Sequence, residues 1–161
     1  MATLKPYHGR MIALLAQQKM LIADLYKLFS GFYPDNREFW SSLAIEVMEH
    51  ATWVEYFYRK AVNGEIHFQE SQAKTYTIES YIKYLEDTIA RVKGKAPLQS
   101  AAFSIALGIE QSVLIKKIFD HFLASNTDLA NQLNSLRQRS LDVKKKIQDR
   151  AAQARASLSS I

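Results

Sequence analysis

Phe39, Leu43, Val47, His50, Val54 and Phe57 follow one another at steps of four, four, three, four and three residues. That is the repeat of a single α-helical face. A strand would alternate, and a loop would show no period. The stretch is therefore constrained to be a helix with one side buried, and to bury a histidine on that side. A histidine so placed is more often a hydrogen-bonded core residue than a ligand.

The same repeat recurs along the chain. A first helix is expected from about Tyr7 to Ser30, with Met11, Leu15, Ile22, Leu25 and Phe29 in its stripe and Gln18 and Lys19 interrupting it. Gly31 is predicted to close it and Pro34 to bar its continuation. Asp35 or Asn36 is the expected cap of the next helix. That second helix runs from about Asn36 to Asn63-Gly64, about 27 residues and roughly 40 Å at 1.5 Å each. Glu65 to Lys74 reads as a polar connection. A shorter helix follows over Thr75 to Val92, with Ile78, Ile82, Leu85, Ile89 and Val92 on one side, and Lys93 to Pro97 is a break. The third long helix is expected from Pro97 to about Leu123, with Phe103, Leu107, Glu110, Leu114 and Ile118 on one face. After a turn at Ser125 to Asp128 comes a fourth, Leu129 to about Ser157. Its stripe is Leu129, Leu133, Leu136, Ser140, Val143, Ile147, Ala151 and Ala154. Leu158 to Ile161 are expected to fray.

The chain has 161 residues, 48% of them hydrophobic, enough for one domain with a sizeable core spanning residues 1–161. Only five glycines and three prolines occur, and Gly31, Pro34, Gly64, Gly94 and Pro97 fall between the periodic stretches. The expected fold is all-α: a four-helix bundle in which residues 65–97 form a long crossover, carrying an extra short helix, between helices two and three. A strictly up-and-down bundle would not need that link. There is no cysteine, which excludes disulfides, thiolate metal sites and a cysteine nucleophile. Met1 to Arg10 lacks the basic start and apolar run of a signal peptide, and no charge-free apolar run is long enough for a membrane span, so a cytoplasmic protein is expected. No Ser–His–Asp arrangement, phosphate loop or dinucleotide fingerprint is present.

A second polar residue, Glu110, lies in an apolar stripe on another helix, as His50 does. Carboxylates and histidines on facing helices are how a bundle holds two metal ions: a Glu from each of two helices and a Glu-x-x-His from each of the other two. The run Leu43-Ala44-Ile45-Glu46-Val47-Met48-Glu49-His50-Ala51, Phe39-Trp40 before it, Ala23 to Tyr26 and Ala106 to Glu110 together resemble the ferritin-like family, its rubrerythrin-like branch most of all. The resemblance covers nearly the whole chain. It implies a ferritin-like bundle, and it implies that His50 and Glu110 stand at two of the family's six ligand positions. The other four depart from the pattern. Lys19 stands where helix one should offer a glutamate, Val47 replaces the bridging glutamate of helix two, and the Glu-x-x-His of helix four falls near Ser140 and Val143. Helix four has no Glu and no His at any register.

Two ligands do not hold two ions. The site is therefore read as vestigial, with Lys19, His50 and Glu110 forming a polar cluster in which one cation replaces another. The expected function is that of a non-catalytic binding or structural, stress-related bundle with no cofactor. It is expected to be a homodimer with an unknown small ligand or protein partner, and shrunken side chains would leave a hollow at the old site. Two alternatives stay open. One is an oxidoreductase using iron or another divalent metal at a rebuilt site of Glu46, Glu49, His50 and Glu110, since Glu46 and His50 have i, i+4 spacing. With no cysteine-ligated iron domain, it would need an external electron donor. The other is an anion- or nucleic-acid-binding module using Arg137, Arg139, Lys144, Lys145, Lys146, Arg150 and Arg155 of helix four; the net charge is +5. A solvated outer face is the preferred reading of those charges. Tyr76, Tyr81 and Tyr84 are expected to pack over the bundle or at a dimer contact, and His67 and His121 have no evident partners.

Overall fold

A computed structural model describes residues 6–68, 75–111, 122–124 and 126–159. Helix α1, Pro6–Phe32, runs through Gly31, which keeps a helical backbone and does not close it. The stop comes from Pro34, which lacks the N–H a further turn would need. Pro34–Asn36 form one turn of 3-10 helix. Asn36 stands at the cap position of α2, Arg37–Val62, yet its side chain does not cap. Its Oδ1 accepts instead from Arg150 Nε at 2.6 Å, and the residue is buried. Helix α2 ends at Asn63, and Gly64 follows at φ +79°, a conformation that suits glycine.

The polar connection contains a strand, β1 (Ile66–Phe68). It pairs antiparallel with β2, Phe122–Ala124, and Ile66 lies opposite Ala124. This corrects the reading of one helix from Pro97 to Leu123. Helix α4 spans Gln99–Glu110, and Phe122 and Leu123 lie in a strand. Leu114, Ile118 and His121 lie outside the described residues, as does the side chain of Tyr76; His67 is in β1. Helix α3 is Thr75–Gly94. Helix α5 is Thr127–Ser159, so Leu158 and Ser159, expected to fray, are helical. Its start is capped as the sequence indicates: Leu129 N–H donates to Asn126 Oδ1 at 2.8 Å.

The described residues are thus mostly α-helical, with one ribbon of two three-residue strands among them. Helix α1 lies chiefly against α2 and also meets α3; α4 lies chiefly against α5. The stripes read from the sequence are the faces they bury: Leu15, Ile22, Leu25 and Phe29 on α1, Leu43, Val47, His50, Val54 and Phe57 on α2, Leu129, Leu133, Leu136, Val143 and Ile147 on α5. An aromatic knot ties three helices together. Trp40 of α2 lies 4.9 Å from Phe29, 5.5 Å from Tyr26 and 5.2 Å from Phe103 of α4, ring centre to ring centre. Tyr33, just past α1, donates to the carbonyl of Pro97 at the entry to α4. Among the described residues no helix is long and apolar enough to cross a membrane.

Candidate functional site

The knot fixes α1, α2 and α4 in place, and their polar residues follow. Lys19 is 3% exposed, His50 1% and Glu110 6%, so all three residues of the expected cluster are interior. Lys19 and Tyr26 are seven residues apart on α1, two turns and therefore nearly one face. Tyr26 Oη donates to Glu110 Oε1 at 2.7 Å. Tyr26 is the member that reading the sequence for titratable groups missed. Its position in the α1 stripe and in the Ala23–Tyr26 segment was the available signal.

Burial sets the protonation behaviour. It lowers the Lys19 ammonium, against which the charge of Glu110 acts in the opposite sense. It raises the Glu110 carboxyl; Lys19 and the Tyr26 hydrogen bond pull back, and Glu46 pushes further up. It lifts Tyr26 well above the ordinary phenol range, with Glu110 adding to the effect. His50 is lowered to about 3, first by burial and then by the positive charges of Lys19, Arg139 and Lys146. His50 is therefore a neutral imidazole at pH 7. Among the described residues neither of its ring nitrogens finds a hydrogen-bond partner, and the same is true of Gln18 Nε2. Lys19 and Glu110 make no ion pair by direct contact; they act on one another through the core. A buried polar group without a partner costs about 1–3 kcal/mol, so this interior is held polar against its own stability.

The remaining positions are plainly placed. Val47 and Val143 are buried hydrocarbon. Ser140 is half-buried and donates back to the Leu136 carbonyl at 3.1 Å. Glu46 is half-buried at the surface and accepts from Lys146 Nζ at 2.9 Å, while Glu49 is exposed. Glu46, Glu49, His50 and Glu110 are therefore not brought together. Among the described residues no three of His, Cys, Asp and Glu are grouped to hold a metal ion. A two-metal centre requires bridging carboxylates. Among the described residues this interior offers the carboxyl of Glu110, the imidazole of His50 and the amine of Lys19, and that donor set does not fit such a centre.

The basic face of α5 is in part committed to the chain's own groups. Arg139 lies over the Trp53 ring at 5.9 Å, Lys146 holds Glu46, and Arg137 donates to Asn134 at 3.1 Å. Tyr81 and Tyr84 pack on one another at 5.5 Å, with Tyr84 partly exposed. A cavity of about 740 Å³ lies where the Pro34–Asn36 turn, the start of α4 and the end of α5 meet. No family model matches the chain, and no curated protein or solved structure matches it.

Proposed function

We propose that the chain is a ferritin-like bundle, of the rubrerythrin-like kind, whose metal centre has been replaced by an internal ion cluster, and that it works as a binding or structural protein without redox chemistry. In this reading α1, α2, α4 and α5 are the bundle helices, and residues 65–97 are the crossover. The observation that carries it is Lys19. A buried lysine shares the interior with Glu110, the acid at a ligand position, and with His50, the imidazole at another. A carboxylate in a core is tolerated only when its charge is compensated. In the family's pattern metal ions do this. Here an ammonium supplies a positive charge and a phenol supplies the hydrogen bond. The homodimer and the cytoplasmic setting belong to the same proposal; sedimentation should return twice the 18.4 kDa chain mass.

Metal loading tests it. Purified protein incubated with iron(II), manganese(II) or zinc(II) and then desalted should retain less than about a tenth of an equivalent, because two donors beside a cation bind weakly. Retention of an equivalent or more, lost in Glu110→Ala, overturns it.

A further inference from the structure

The cavity at the α4–α5 corner carries chemistry that the interior cluster does not use. Part of its lining is apolar: Phe103 and Leu107 from α4, Ala151 and Ala154 from α5. Leu98, 79% exposed, also lines it. Arg150 lines it too, and this guanidinium is fixed on three sides. Its Nε donates to the buried Asn36 at 2.6 Å, its Nη1 donates to Gln153 at 3.3 Å, and it lies over the Phe39 ring at 5.7 Å. Two of its five N–H donors are thereby used, which leaves a held fork with donors to spare. A pre-oriented arginine beside an apolar wall is the arrangement that recognises a carboxylate on a hydrocarbon body. Arg155 also lines the cavity, against a single carboxylate, Asp35. The first turn of α4 has no side-chain cap at Leu98, so its positive end adds to the same sign.

The geometry points to a binding site for a small amphiphilic carboxylate, of the kind a medium-chain fatty acid represents. The carboxylate would sit on Arg150 and the chain against Phe103, Leu107 and Ala154. This site is independent of the interior cluster, and metal content does not bear on it.

Titration of the full chain with octanoate and decanoate, followed by calorimetry and by amide chemical shifts, tests it. Saturable binding of one molecule is expected, with shifts centred on residues 98–107 and 150–157, and no binding of decylamine. Arg150→Met should weaken binding by about tenfold or more, the range for a hydrogen bond to a charged group. Because Arg150 also holds Asn36, a second variant, Ala154→Trp, fills the cavity and leaves that contact in place; it should abolish binding. Absence of saturable binding up to about 1 mM, equal binding of decylamine, or shifts spread along the basic face of α5 or into the core would each overturn the proposal.

Discussion

Tyr26 donates a hydrogen bond to Glu110 in the core, and Lys19 acts on the same carboxyl through its charge. Removing one partner of a buried charge pair strands the other, at about 3–5 kcal/mol, whereas replacing both with apolar groups is often neutral. Lys19 and Glu110 are not in contact, so Lys19→Met alone is expected to destabilise the protein at pH 7 by less than about 3 kcal/mol. Lys19→Met with Glu110→Leu should recover most of it, and urea unfolding of the two single variants and the double variant measures the coupling. His50 carries a pH dependence. Its ordinary value is 6.5 and its folded value about 3. Between these the unfolded chain binds the proton and the folded one does not, so stability present at pH 7 is lost as pH falls through that window. The slope is at most about 1.4 kcal/mol per pH unit. Glu110, held above its usual range, acts in the opposite sense, but it is common to both proteins in the comparison. His50→Leu should flatten the urea midpoint between pH 6.5 and 4 relative to the parent; an unchanged profile would place the titration elsewhere. Lys19, His50 and Glu110 were legible in the sequence because a polar residue interrupting an apolar stripe stands out. Tyr26 was not, because an aromatic in a stripe looks like core. The Lys146–Glu46 pair was not, because nothing in sequence links residues a hundred positions apart.

At the scale of the element, stripes located every long helix, since burial of one face leaves a 3.6-residue trace. The ribbon was invisible: three residues are too few to show alternation, and β1 exists only because β2 lies beside it. Asn36 shows the same limit in a cap. Local sequence offered Asp35 or Asn36 as the N-cap, but tertiary contact turned the Asn36 carbonyl to Arg150. Asn36→Ala should therefore act through Arg150 rather than through helix initiation, at a cost of about 1.5–3 kcal/mol for a hydrogen bond to a charged group. In Arg150→Met background the same substitution should cost much less. Thermal melts of the two single variants and the double variant decide this, and additive losses would return Asn36 to an ordinary structural role.

For the whole molecule, scarcity of glycine and proline together with long stripes was enough to give an all-helical protein, and the structure is one. What sequence alone did not show was how the interior would tolerate its charges, because that depends on which helix faces which. Lys19, Tyr26, His50 and Glu110 come from three helices and are assembled only when the Trp40 knot brings those helices together. The cavity, likewise, exists only where the ends of α4 and α5 meet the turn after α1. The central claim is that an ammonium has taken the place of metal in this interior. Anomalous scattering from crystals grown with iron(II) and with manganese(II) tests it most directly. Lys19 as the substitute cation predicts no anomalous peak between α1, α2 and α4, with Glu110 bonded to Tyr26. A peak about 2.0–2.2 Å from the Glu110 carboxylate, with Lys19 turned away, would contradict it.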